Sequence, residues 1–215
     1  MHFLPKKITS FPPLSEANAD GLLAIGGNLN VESLLLAYKS GIFPWYSESE
    51  PIMWWSPDPR FVILPGELII SKSMHKILRN EVFEIKFNHS FEKVIANCAK
   101  VKRAGQRGTW ITTAIQAAYL KLHKKGFAIS GEAWKNGELV GGFYGILIGN
   151  SFFGESMFSL VDNASKVAFL TYAEQFFKEG GKIIDCQLYT KHLQSLGAKM
   201  IPRKLFIEKI TTRVV

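Results

Sequence analysis

The chain has 215 residues, 47% hydrophobic and 13% aromatic, with a formal charge of +8. That is ample apolar material for one large domain or two unequal ones, and it excludes a disordered chain. No apolar run approaches the roughly 18 residues of a membrane helix, Met1–Lys7 lacks a signal peptide's apolar stretch, and Cys98 and Cys186 make neither a disulfide framework nor a zinc site. A reducing cytoplasm is therefore the expected compartment.

The N-terminal part is predicted to be loop-rich, with Pro5, Pro12 and Pro13 ahead of the glycine-flanked run Gly21–Gly27. A helix follows: Asn30 is a good N-cap, Leu34, Leu35 and Tyr38 share one face, and Gly41 stands where the chain must leave it. The proline spacing from Gly41 to Arg60 forbids a long helix and predicts an ordered, aromatic-walled loop. A domain boundary is expected near Arg60.

Ser71 to Arg79 reads as a basic helix and Glu84 to His89 as a strand of period two. Ser90 caps a helix with Phe91, Val94, Ile95 and Cys98 inward, and Thr112 or Thr113 starts another with Ile115, Ala118, Tyr119 and Leu122 inward. Residues 70–107 carry nine basic and three acidic side chains, whereas residues 1–60 are net −2, so the positive charge is clustered. Such clustering suits a phosphate backbone, although a solvated helical face reads the same way. Phe127 to Trp134 is a strand, Asn136-Gly137 a two-residue hairpin, and Glu138 to Ile148 the return strand. A third strand from Ser151, a helix over Ala164 to Lys178, a strand around Asp185, a short helix from Thr190 to Leu196 and a last strand at 205–207 complete the order.

An antiparallel meander followed by a βαβ crossover gives an α+β fold with a sheet of mixed direction. The expected organisation is a small N-terminal α+β domain, 1–60, and a larger catalytic domain, 61–215. The order of the latter resembles the Gcn5-related N-acyltransferases, which implies a mixed, splayed sheet with acyl transfer where its central strands diverge.

Two apolar strands in this half end in acids, Glu155 and Asp185. Alternation puts Asp185 and Gln187 on one side of their strand, with Ile184 and Cys186 on the other. Alone, Asp185 reads equally as a helix cap or a partner in a buried ion pair. Beside Glu155, itself next to methionine and phenylalanine, it points to a pocket for something both cationic and apolar.

Six motifs occur in order: Asp20–Gly27, Gly41–Trp45, Trp54–Arg60, Gly108–Thr112, Gly154–Phe158 and Asp185–Gln187. Together they resemble the leucyl/phenylalanyl-tRNA–protein transferases, over about Phe11 to Phe206. That resemblance implies transfer of leucine or phenylalanine, and by extension methionine, from aminoacyl-tRNA to the α-amine of proteins beginning with arginine or lysine. A peptide bond forms and the product is marked for N-end-rule degradation, with no cofactor and no metal. By resemblance, Asp185 holds the attacking amine and helps take its proton, Gln187 orients it, and Glu155 anchors the acceptor's cationic end. The donor side chain would be held by Phe143, Met157, Tyr172, Phe176 and Ile184. Phe143 and Tyr172 depart from the family's usual methionine and phenylalanine. Trp45 and Trp110 are the candidates to stack on the terminal adenosine, while Trp54 and Trp55 are expected to fix the domain interface. Lys72, Lys76 and Arg79, at helical spacing, can face one acceptor stem.

Three other readings compete. Acetyl-CoA-dependent N-acetyl transfer would use the same sheet, but Leu160–Ser165 offers no glycine-rich cradle for a diphosphate and carries an acid. A non-enzymatic RNA-binding module leaves Glu155 and Asp185 without purpose. A cysteine hydrolase built on Cys186 requires His192 to approach a thiol that alternation turns away from Asp185.

Overall fold

The computed structural model describes residues 2–101 and 109–211. Three of the basic residues counted above, Lys102, Arg103 and Arg107, and the first residue of the Gly108–Thr112 motif lie outside them.

The N-terminal part is more ordered than its prolines suggest. Strands β1 (His2–Leu4), β2 (Leu22–Gly26), β3 (Phe43–Pro44) and β4 (Met53–Trp55) form a sheet in the order β1-β2-β4-β3. Their runs of two to five residues are too short for a period to register, and pairing alone makes them strands. Helix α1 (Val31–Lys39) lies between β2 and β3, and its first turn is held as expected, with Asn30 Oδ1 accepting from Ser33 N at 2.7 Å. Leu34 and Tyr38 are fully buried, whereas Leu35 is only half-buried. Gly41 leaves the helix at φ +74°, and a Cβ there would collide with Ile207 at 2.3 Å.

The second sheet begins with β5 (Arg60–Ile63). Then come α2 (Lys72–Arg79), β6 (Glu84–Phe87), α3 (Phe91–Lys100), α4 (Thr113–Lys124), β7 (Ala128–Lys135), β8 (Glu138–Ile148) and β9 (Ser151–Ser159). The chain ends with α5 (Ala164–Lys178), β10 (Ile183–Gln187), α6 (Lys191–Ser195), β11 (Lys199–Ile201) and α7 (Arg203–Thr211). Strand order is β11-β5-β10-β9-β8-β7-β6. Strands β6 to β9 form the antiparallel meander, α5 crosses over, and β10 returns parallel to β9. The fold is therefore mixed α/β with a sheet of mixed direction. Asn136 and Gly137 both take positive φ, 53° and 78°, as a tight hairpin turn demands.

Three local expectations need correction. The strand expected at 205–207 is part of α7, whose Phe206 N donates to Pro202 O at 3.1 Å. A proline just before a helix loses no needed donor, and the turn puts Phe206 in the core while Leu205 stays 38% exposed. The loop expected around Arg60 gives way to strand β5, and β11 likewise has no signature of its own; both gain their partners only through the sheet. Ser90 occupies the N-cap of α3 without a side-chain cap, and its N–H instead donates to buried Glu132 at 2.7 Å.

Alternation along the sheet divides the core. Ile183, Phe153 and Tyr144 join α1, α3, α4 and the first sheet on one face. Ile184, Phe152 and Phe143 join α5 on the other. Asp185 therefore faces the side of the first sheet and Cys186 the side of α5.

Candidate active site

Strand β10 pairs with β9 only from Ile183–Ser151 to Asp185–Phe153. Beyond that point β9 continues along β8 as far as Ser159, while a bulge at Cys186 keeps β10 on β5. The two central strands thus part company after Phe153 and Asp185, and a cavity of about 340 Å³ opens between Gly154–Met157 and Cys186–Leu188. That volume suits a small ligand or the end of a larger one.

One wall is polar. Glu155 accepts from the Tyr38 hydroxyl at 2.7 Å, the Tyr119 hydroxyl at 3.0 Å and Gln187 Nε2 at 3.0 Å. The two tyrosine hydroxyls also touch each other. Tyr38 comes from α1 and Tyr119 from α4; both are fully buried, and a buried phenol must find a partner. Burial, then the nearby Glu155 charge, holds both phenols far above their ordinary pKa, so they stay protonated donors. Burial pushes Glu155 itself up to about 7, against the three hydrogen bonds that favour its charged form, with Asp185 adding a smaller upward push.

Asp185 does not line the cavity. It is fully buried in a bidentate pair with Arg60, Nε to Oδ1 and Nη2 to Oδ2, both 2.8 Å. Arg60 also donates to Gly41 O at 3.2 Å and lies between the Phe43 and Phe206 rings, 4.7 and 4.6 Å from their centres. Asp185 Oδ1 further accepts from Gln187 N at 2.9 Å, where Gln187 takes φ +59°. The two acids are thus linked through Gln187, but only Glu155 opens on the cavity. The buried-ion-pair reading of Asp185 is the one its geometry matches.

The other walls are apolar. Phe143, Met157 and Ile184 line the cavity together with Phe169, and Trp45 and Trp110 line it with Phe43. Trp45 is braced edge-on by Trp55, whose Nε1 donates to Trp45 O at 2.7 Å. Trp54 is fully buried and donates to Gly26 O at 2.9 Å. Tyr172 and Phe176 stand one layer back: the Tyr172 ring packs 5.3 Å from Phe143 and 4.8 Å from Phe152, and stacks on Phe176. They shape the wall without forming it. Cys186 also lines the cavity, but burial drives its thiol far above the ordinary range, which removes the thiolate a nucleophile requires. Lys72, Lys76 and Arg79 are exposed along α2, whose one buried residue is Met74.

Sequence reasoning missed the partners rather than the acids. Tyr38 and Tyr119 are read as inward-facing from helical spacing, but nothing local says that both reach Glu155. Arg60 marks a motif's end and a domain boundary, and its pairing with Asp185 spans 125 residues. His192, on α6, and Thr190 also line the cavity. Among the described residues, no cluster of three or more His, Cys, Asp or Glu could hold a metal, and no helix is long and apolar enough to cross a membrane.

Comparison with known proteins shows the family. Residues 62–211 match the family model "Leucyl/phenylalanyl-tRNA protein transferase", and residues 27–58 match the model of that family's N-terminal domain. A leucyl/phenylalanyl-tRNA–protein transferase of Flavobacterium johnsoniae is 53% identical over 99% of this chain and 100% of its own. Those of Flavobacterium psychrophilum and Myxococcus xanthus are each 50% identical, over 97% and 93% of this chain and 98% and 86% of their own. A solved GCN5-related N-acetyltransferase from Kribbella flavida is 9% identical with a TM-score of 0.41, over 79% of this chain and 59% of that one. At that score the likeness adds nothing to the strand order already described. The chain is a transferase, an enzyme that moves an aminoacyl group. More narrowly, it belongs to the leucyl/phenylalanyl-tRNA–protein transferase family.

Proposed function

We propose that this chain moves leucine, phenylalanine or methionine from aminoacyl-tRNA to the α-amine of proteins that begin with arginine or lysine. The product, extended by one peptide bond, enters N-end-rule degradation in the cytoplasm. The observation that carries the proposal is the cavity itself: one buried carboxylate, Glu155, held by Tyr38, Tyr119 and Gln187 opposite walls of Phe143, Met157, Phe169 and Ile184.

The donor ester is already activated and the acceptor amine has a pKa near about 8, so no strong base is needed. Holding amine and ester carbonyl in attack geometry supplies roughly 7–11 kcal/mol of such a barrier. In our reading, Glu155 takes the acceptor's positive charge, and a neutral first residue would leave that carboxylate buried and unmatched. Gln187 presents its amide to the reacting groups. Asp185 acts through it as a positioning residue, fixing the Gln187 backbone while Arg60 neutralises its charge. Phe143, Met157 and Ile184 accept the donor side chain, with Tyr172 and Phe176 setting the depth from behind. Trp45 and Trp110 stack on the terminal adenosine, and Lys72, Lys76 and Arg79 meet the acceptor stem's phosphates. The division into 1–60 and 61–215 belongs to the same proposal, the first part contributing Tyr38, Trp45 and Arg60 to a site built on the second.

The test is transfer of radiolabelled leucine from leucyl-tRNA to peptides that differ only in their first residue. Label on Arg- and Lys-starting peptides alone is the expected result, and label independent of the first residue would overturn the acceptor assignment.

A further inference from the structure

Among the described residues that line the cavity, only Leu188 and Thr190 are exposed, so its mouth lies beside them. Gln187 sets this edge. At φ +59°, with Leu188 N donating to Cys186 O at 2.7 Å, it turns the chain out of β10 within one residue. Outside the mouth an apolar strip continues. The Tyr189 ring lies 5.4 Å from that of Phe61, and its hydroxyl donates to Gln194 Oε1 at 2.8 Å, so the ring is fixed at both ends. Met200 stands opposite Phe61 in the β11–β5 register, and the two side chains therefore share one face of the sheet. Leu188, Tyr189 and Met200 are 41, 47 and 45% exposed. Large apolar groups left open side by side, and continuous with a cavity, mark a surface that a ligand covers.

We propose that this strip seats residues two to four of the acceptor polypeptide and favours apolar side chains there. The inference rests on the aminoacyl transfer proposed above. A polypeptide whose first residue reaches Glu155 must leave through the mouth, and Leu188 and Tyr189 are the surface it meets. Strand β11 lies two strands from β10, about 10 Å across the sheet, a span that three extended residues cover. Charge favours the same occupant. From Cys186 to Met200 the chain has no acid, and Lys199 is already paired with Glu67. The acceptor's basic first residue therefore finds no rival seat before Glu155. An apolar strip is also a poor seat for the donor's phosphates, whose contacts call for cations and polar donors.

The experiment measures kcat/KM for transfer from leucyl-tRNA to arginine amide, Arg-Ser-Ser-Ser and Arg-Leu-Phe-Leu. The wild-type chain should prefer the apolar peptide to the serine peptide about tenfold. Tyr189→Ala should remove most of that preference and leave arginine amide, which has nothing to lay on the strip, unaffected. Met200→Ser should weaken the preference less, and it tests the strip even where Tyr189→Ala fails to fold. A wild-type chain indifferent to residues two to four would overturn the inference, as would equal loss on all three acceptors in both variants. A raised KM for leucyl-tRNA with the peptide preference intact would give the strip to the donor and overturn it likewise. Failure of the wild-type chain to label any of the three would strike the aminoacyl transfer itself, and the strip's role with it.

Discussion

Glu155 has to be anionic to hold a cation and is buried where an anion is disfavoured. Its pKa, raised by burial to about 7 from 4.5, records that conflict. Glu155→Gln keeps the shape and removes the charge. It should lower kcat/KM for Arg- and Lys-starting peptides by about a hundredfold while leaving aminoacyl-tRNA affinity near wild type. Equal loss of both in paired kinetic and binding measurements would refute the acceptor role. The same shift has a consequence for stability. Between 4.5 and about 7 the native chain keeps a proton that the unfolded chain has released. This group's contribution is therefore complete below 4.5 and is lost as the pH rises through about 7. Thermal midpoints of wild type should fall relative to Glu155→Gln across that window and run parallel above it; a constant difference would contradict the buried-acid account. Affinity for an Arg-starting peptide should change in the opposite sense, rising through neutrality as the carboxylate forms.

At the scale of elements, the junction of β5 and β10 is held by charge. Arg60 and Asp185 are both fully buried, and removing one partner strands the other. Asp185→Asn should cost about 3–5 kcal/mol in urea unfolding. The double variant Arg60→Met/Asp185→Leu should cost less than the two single losses added. Additive losses would show that the ion pair does not couple these strands. Helix α2 makes a different demand. It buries Met74 and turns Lys72, Lys76 and Arg79 to solvent. Reversing all three charges should weaken tRNA binding and flatten its dependence on log salt by roughly 0.7–0.9 for each phosphate no longer neutralised. A slope equal to wild type would remove the stem-binding role from this helix.

The whole molecule assembles its site from both sheets. Trp45 after β3 lines the cavity, Tyr38 from α1 holds Glu155 from behind it, and Arg60 at the head of β5 holds Asp185 beneath a floor that belongs to β9 and β10. A fragment of residues 61–215 should therefore lose transfer even where it remains soluble, and should not regain it with excess tRNA. Measured activity near wild type would mean that the first sixty residues do not help build the site.

How much of this the sequence announces depends on the range of the interaction concerned. The cap at Asn30, the bounds of α5 and β8 and the turn at Asn136-Gly137 are set by neighbours within a few positions, and all are legible. The inward faces of α3 and α4 follow from period 3.6 alone. Strands of two to four residues, such as β3, β5 and β11, have no period to read and exist only because a partner lies alongside. The run at 205–207 is apolar in either conformation, and only Phe206's place in the core decides for helix.

By itself, the order of residues determined the family, the succession of helices and strands from Ser71 to Leu196, and the kinds of chemistry present: acids among apolar strands, paired tryptophans and a basic helix. Tertiary structure alone decided which acid opens on the cavity. Arg60 reaches across 125 positions to take Asp185, while Tyr38 reaches across 117 to hold Glu155. Such pairings depend on where β9 and β10 separate, and strand separation is a property of the packed sheet that no short window of sequence contains.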